Sequence, residues 1–321
     1  MSDAPHTPAP SSNAAVPPSD TPALPSDAAG ITALAERHGL DVDPASVRVE
    51  ELGLDFRVAF ARAADGEDWV LRIPRRPDVL ARAEVEARLL RMVGPRLDVA
   101  VPDWRVHTSE LIAYPLLPGL PGLEMTADGQ VEWRVDMTST TYAASLGDVV
   151  AQLHGLDPAE AAATGIDVRT PEDLRATWRR DLERVAAEFR IAPELRGRWE
   201  AWIGEDRYWP QHTVLTHGEL YPAHTLVEGE TISAVLDWTT AAIGDPAKDL
   251  MFLQVSAPPE VFEVALERYV AGGGQVWDGL AEHCTEMYSA SPLGYGLYAL
   301  ETGDADHRAA AAAVLDPRAE G

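Results

Sequence analysis

The sequence predicts an α+β protein of two lobes, a small β-rich lobe followed by a larger helical one. Three observations carry this. Residues 57–61 and 69–73 are rich in β-branched and aromatic side chains and flank Asp65-Gly66, the composition of an antiparallel hairpin. Pro118-Gly119-Leu120-Pro121-Gly122 then forms a segment that should stay in neither sheet nor helix. Beyond it, apolar residues recur at helical spacing through most of the remaining chain.

Taken in order, residues 1–28 consist largely of Pro, Ala, Ser, Thr and Asp and hold almost no large apolar side chains. Such a segment cannot bury enough surface to offset the entropy of ordering, so a disordered tail is expected. Ile31, Leu34 and Ala35 recur at helical spacing and open the first lobe, expected over 29–117. A strand region begins at 47–50, and the hairpin follows. Val85, Leu89, Leu90 and Val93 place an apolar stripe on a helix that Gly94-Pro95 should end. Residues 111–117 read as a buried strand running into the Pro/Gly segment, a hinge before the second lobe at 118–321. There, Leu146, Val149, Val150 and Leu153 form a helical stripe. Thr170-Pro171-Glu172-Asp173 is a helix start, with Thr170 as cap and Pro171 at the first helical position. Leu174, Trp178, Leu182, Val185 and Phe189 supply that helix's inner face. Residues 225–227 and 233–236 read as short strands, and 259–269, the region of Met287 and 304–315 as helices.

Composition narrows the function. The 52 acidic side chains against 26 basic ones leave a formal charge of -26, which disfavours nucleic acid and anionic membranes and favours a cationic small molecule. The single cysteine, Cys284, has no metal-ligand spacing around it, so disulfide and zinc frameworks are excluded. No apolar run approaches the roughly 18 residues of a membrane-spanning helix, and the N-terminus lacks the basic-then-apolar order of a secretory signal. A cytoplasmic monomer acting on small molecules is expected.

The most informative stretch is His217-Gly218-Glu219-Leu220-Tyr221-Pro222-Ala223-His224, followed by Leu236-Asp237-Trp238 and Gly244-Asp245-Pro246-Ala247-Lys248-Asp249. A small-molecule kinase needs a carboxylate to receive a hydroxyl proton, a magnesium ligand a few residues later, and a second acid across a hairpin. Glu219, His224 and Asp237 occupy those places. His217 suits a buried imidazole that braces the loop, and Asp245 and Asp249 read as turn and helix-start residues. The lobe order is also that of a protein kinase. Such a fold places a cation on a first-lobe strand against the nucleotide phosphates, yet the only lysine is Lys248. Arg72 in Trp69-Val70-Leu71-Arg72-Ile73 therefore takes the role, and its forked guanidinium suits phosphate oxygens. Its expected carboxylate partner is Glu86 rather than Glu84, because Leu89, Leu90 and Val93 share the face of Glu86. Leu52-Gly53-Leu54-Asp55-Phe56 is the only candidate for a phosphate-covering turn, with Phe56 at the nucleotide.

These residues resemble the macrolide 2′-phosphotransferases, a branch of the aminoglycoside phosphotransferase family with a protein-kinase-like fold. The matching segments are Gly53-Leu54-Asp55-Phe56-Arg57, Trp69-Val70-Leu71-Arg72-Ile73-Pro74-Arg75-Arg76, Val101-Pro102-Asp103-Trp104-Arg105-Val106, Ala113-Tyr114-Pro115 and the block at 217–249. The resemblance implies transfer of the γ-phosphate of GTP, or of ATP, to the 2′-hydroxyl of a macrolide with Mg²⁺ as cofactor. It implies a purine site on the backbone of Ala113, Tyr114, Pro115, Leu116 and Leu117. A macrolide site on the helical lobe is expected, with Met287, Tyr295 and Tyr298 as candidates for an apolar wall. The chain departs from the family pattern at Glu219, where aspartate is usual. An aminoglycoside or other amino-alcohol acceptor is the alternative substrate, and a nucleotide- or antibiotic-binding homologue with impaired turnover is the alternative class.

Overall fold

The computed structural model describes residues 25–51, 55–126 and 130–317. Residues 1–24 of the expected tail and Leu52-Gly53-Leu54 of the expected phosphate-covering turn lie outside them. The described residues form two compact units, the first comprising those up to Ala83 together with Asp103–Leu116, the second Glu84–Pro102 together with those from Leu117 onward. Residues 84–102, expected in the first lobe, thus group with the second unit.

In the first unit, helix α1 (Ala28–Arg37) starts at Asp27, whose carboxylate accepts the Gly30 N–H at 2.8 Å. Strands β1 (Arg48–Glu50), β2 (Phe56–Arg62) and β3 (Asp68–Pro74) follow, then helix α2 (Val79–Val93), which begins in this unit, and strands β4 (Val106–His107) and β5 (Ile112–Pro115). The five strands form one antiparallel sheet in the order β1-β2-β3-β5-β4. The β2–β3 hairpin is in register from Phe56↔Pro74 to Arg62↔Asp68, and the Arg62–Asp68 ion pair closes its end at 2.8 Å. Strand alternation sends Leu71 and Ile73 to one face, where they pack with Ile31, Leu34 and Ala35 of α1. Val70 points to the other face, packed with Phe56, Ile112 and Tyr114 and with Val79 and Ala83 of α2. Both faces are covered, which is why β3 reads as a nearly continuous apolar run.

In the second unit come β6 (Leu120–Pro121), β7 (Leu123–Met125), β8 (Val131–Trp133), α3 (Thr140–His154), α4 (Pro158–Ala162), β9 (Asp167–Val168), α5 (Pro171–Glu188) and α6 (Pro193–Gly204). They are followed by β10 (Val214–Thr216), β11 (Thr225–Glu228), β12 (Thr231–Val235) and β13 (Ala242–Gly244). Helices α7 (Met251–Ser256), α8 (Pro259–Ala271), α9 (Leu280–Ser289), α10 (Ser291–Thr302) and α11 (Ala305–Leu315) complete it. Helix α3 packs on α8 and buries the expected Leu146, Val149, Val150 and Leu153. Each of the two leucines so buried stabilises the unit by about 1.5–3 kcal/mol. Helix α5 begins with a capping box between Thr170 and Asp173; Leu174, Leu182, Val185 and the flanking Phe189 are buried, and Trp178 is half-buried.

One expectation is corrected. The Pro/Gly segment does enter a sheet, because Leu120 and Pro121 pair with Val227 and Leu226 at the edge of β12-β11-β6. An edge strand of two residues tolerates a proline whose missing N–H faces no partner. Gly119 just before it has φ of 93°, and a Cβ there would lie 2.9 Å from the Val227 carbonyl oxygen, so no other residue fits this approach. No helix among the described residues is long and apolar enough to cross a membrane.

Candidate active site

The loop from His217 to His224 joins β10 to β11 and is fixed at its base from below. The buried carboxylate of Asp249 accepts the N–H of His217 at 2.8 Å and of Gly218 at 2.7 Å, one on each oxygen. His154 of α3 donates its Nε2–H to the same carboxylate at 3.1 Å, and its Nδ1 accepts the Tyr269 hydroxyl at 2.9 Å. Burial alone would raise the Asp249 carboxyl, but the hydrogen bond from His154, together with that of the Gly218 amide, holds it below its ordinary value. An ionised carboxylate can thus anchor two consecutive backbone amides. Gly218 has φ of 90°, and a Cβ there would meet the Thr240 carbonyl oxygen at 2.7 Å, so both conformation and space demand glycine.

His217 is wholly buried and braces the loop as expected. Its Nε2–H donates to the Leu236 carbonyl at 2.9 Å and its Nδ1 accepts the Glu219 N–H at 3.3 Å, a pattern only a neutral ring can make. Burial pushes its pKa down, outweighing the pull of Asp249.

Glu219, His224 and Asp237 come together at the top of this loop. The Glu219 side chain is half exposed, and its carboxylate makes no hydrogen bond among the described residues; His224 lies beside it, Nδ1 to Oε2 at 4.0 Å. Partial burial raises the Glu219 pKa; His224 and Lys248 pull it down, and the charge of Asp237 adds to the rise. The His224 Nδ1–H donates to the Glu219 carbonyl at 2.9 Å, which leaves Nε2 with its lone pair 3.7 Å from Asp237 Oδ2. Asp237 is the only non-glycine residue with positive φ among the described residues, at 58°. Aspartate is one of the few side chains that tolerates this conformation, and such outliers concentrate at functional sites. The Thr239 hydroxyl fixes Asp237 Oδ1 at 2.5 Å and turns Oδ2 toward His224.

No three His, Cys, Asp or Glu side chains among the described residues converge on one ion-sized point. An imidazole and a carboxylate oxygen 3.7 Å apart still fit a single divalent cation, because two ligands at about 2.1 Å each span up to roughly 4.2 Å. The two residues suit an ion whose remaining ligands come from phosphate oxygens and water.

The residues expected at the nucleotide lie as follows. Arg72 on β3 is in register with Val58 and Ile112, half-buried, with its guanidinium carbon 4.2 Å above the Phe56 ring and 5.6 Å from that of Trp104. Phe56 is buried beneath it. Glu86 is buried and Glu84 exposed, the phase read from the apolar stripe. Ala113 and Tyr114 are buried in β5, Pro115 ends that strand, Leu116 is exposed and donates its N–H to the Asp68 carbonyl at 2.7 Å, and Leu117 is half-buried. Of the residues expected to form an apolar wall, Met287 is corrected: it is 2 % exposed in the core of the second unit and faces no solvent. Tyr295 is half-buried with its hydroxyl 3.1 Å from His307 Nδ1, and Tyr298 stacks near it with an exposed ring.

Sequence reasoning missed His154 and Tyr269. Both sit on apolar helix faces, and only the pairing of His154 with a buried acid from the 245–249 turn distinguishes it from core. It also missed Tyr221, whose ring lies edge-on to His224 at 4.6 Å and near Phe252 at 5.5 Å.

A profile of the phosphotransferase enzyme family matches residues 47–283. Among solved structures, the chain is similar to the apoenzyme of macrolide 2′-phosphotransferase MphH from Brachybacterium faecium, with a TM-score of 0.90 and 70% identity over 92% of this chain and 100% of that one. It is similar to a macrolide 2′-phosphotransferase type I with a TM-score of 0.81 and 39% identity over 89% and 96%. The uncharacterized protein YcbJ of Bacillus subtilis (strain 168) is 38% identical over 282 residues, 86% of this chain and 92% of that protein.

Proposed function

The chain belongs to the phosphotransferase enzyme family, and from that membership we propose that it transfers the γ-phosphate of GTP or ATP to the 2′-hydroxyl of a macrolide antibiotic and so confers resistance. The observation that carries the chemistry is the half-exposed Glu219 carboxylate, which accepts no hydrogen bond among the described residues and has a raised pKa, beside the His224–Asp237 pair on a loop held by Asp249. The acceptor follows from the likeness to two macrolide 2′-phosphotransferases.

In this reading Glu219 orients the attacking hydroxyl and accepts its proton. A carboxylate shifted toward neutrality is the better base, and such a group contributes about 10² to 10⁴ in rate. His224 Nε2 and Asp237 Oδ2 hold Mg²⁺, which when bound neutralises charge on the phosphate oxygens. Imidazole is a poorer magnesium ligand than oxygen, so Asp237 is the stronger holder of the two. Arg72 supplies the cation for the nucleotide phosphates, its forked guanidinium suiting phosphate oxygens.

The test is a matrix of GTP and ATP against a desosamine-bearing macrolide and an aminoglycoside, with phosphate incorporation into the acceptor as the readout. Macrolide-dependent incorporation is expected. Transfer to the aminoglycoside alone would replace the acceptor, and binding of nucleotide and macrolide without transfer over hours would remove the catalytic claim.

A further inference from the structure

We propose that His283 is a positioning residue for phosphoryl transfer, acting through Asp245 on the loop that carries Glu219; the transfer step itself rests on the function proposed above. His283 lies fully buried on α9. Its Nε2–H donates to Asp245 Oδ2 at 2.8 Å, and its Nδ1 accepts the indole N–H of Trp202 on α6 at 3.0 Å. The other Asp245 oxygen accepts the Ala247 N–H at 3.0 Å and caps the short turn Pro246–Asp249. The last residue of that turn is Asp249, whose two oxygens hold the His217 and Gly218 amides. A continuous series of bonds thus runs from α6 through His283 to the residue preceding Glu219.

Aromatic rings surround the middle of the series. Trp209 stacks on Trp202 at 5.1 Å and meets His283 edge-on at 5.0 Å, and Trp277 lies 5.9 Å from His283. These rings make the surroundings of the Asp245–His283 bond largely apolar. A buried carboxylate that loses its donor is costly, and the turn must shift to relieve it. The shift reaches Glu219 because Asp249 is bonded to the loop backbone at two consecutive residues. Displacement of a catalytic group by on the order of 1 Å costs about 10²-fold in rate.

The experiment compares His283→Leu, His283→Gln and the parent. With His283→Leu, kcat should fall by about tenfold or more while both KM values stay within about twofold. Amide hydrogen exchange at His217 and Gly218 should accelerate by about tenfold, with exchange in the β2–β3 hairpin unchanged. The glutamine amide can donate to Asp245 and accept from Trp202, so His283→Gln should recover both. Unchanged kcat and exchange in His283→Leu would overturn the proposal, as would a loss that spreads to both KM values and is not recovered by glutamine. If His283→Leu does not fold, Trp202→Phe, which removes the N–H that His283 Nδ1 accepts, is judged by the same two readouts. A parent protein without macrolide-dependent transfer sinks the proposed function alone, since the exchange measurement still decides whether His283 holds the loop.

Discussion

At the scale of single residues, the proposed chemistry turns on Glu219, whose pKa is held above its ordinary value by burial. Replacing Glu219 by glutamine should lower kcat by about 10² to 10⁴ in the phosphate-transfer assay. The same change should raise the thermal midpoint at neutral pH. A carboxyl whose pKa is raised by folding binds its proton more tightly in the folded state, so ionisation above that pKa opposes folding, and an uncharged amide escapes this opposition. The parent should also lose kcat/KM toward acid with a midpoint above the ordinary 4.5 of glutamate, a limb absent in the residual activity of Glu219→Gln. That Glu219, His224 and Asp237 lie together was legible in sequence from their types and separations along the motif. Met287 was not, because a methionine at helical spacing presents the same pattern whether it lines a pocket or fills a core.

At the scale of elements, the turn Pro246–Asp249 does for the loop what a strand partner does for a sheet: it satisfies backbone donors that nothing else reaches. Asp249→Ala leaves two buried N–H groups and the His154 ring without their acceptor, and should cost about 3–5 kcal/mol in chemical denaturation. A cost below 1 kcal/mol would mean that water replaces the carboxylate. The elements with strong local signals, the β2–β3 hairpin and the capped start of α5, could be read directly from alternation and capping residues. The bond between His154 and Asp249 could not, since it joins positions 95 residues apart and either side chain alone is an ordinary core or turn residue. The short β6 pairing escaped for a related reason: Pro and Gly exclude the centre of a sheet, but local composition does not tell an edge from a loop.

At the scale of the molecule, the order of a small β-rich unit and a larger helical one followed from the position of one Pro/Gly segment between two periodicities. The division at residues 83 and 84 did not, because α2 is a single uninterrupted helix and its sequence carries no break where the packing changes hands. The charge of -26 is a property of the same scale. Self-repulsion at low ionic strength opposes the compact state, so the thermal midpoint should rise on going from about 20 mM to about 500 mM NaCl. Over that range KM for a cationic acceptor should increase, while KM for an acceptor lacking the amine should not. A flat response of both would show that the excess acid plays no part in capture.

The left-handed backbone at Asp237 separates two qualities that are often scored as one. Asparagine is the other side chain at ease in that conformation, can still receive the Thr239 hydroxyl, and takes a negative charge away from beside Glu219. Asp237→Asn should therefore accumulate in cells at least as well as the parent while turning over nothing. A mutational screen that ranks variants by abundance would place it near the top, and one that ranks them by survival on the antibiotic would place it at the bottom. If Asp237 holds the metal as proposed, the two rankings should part at position 237.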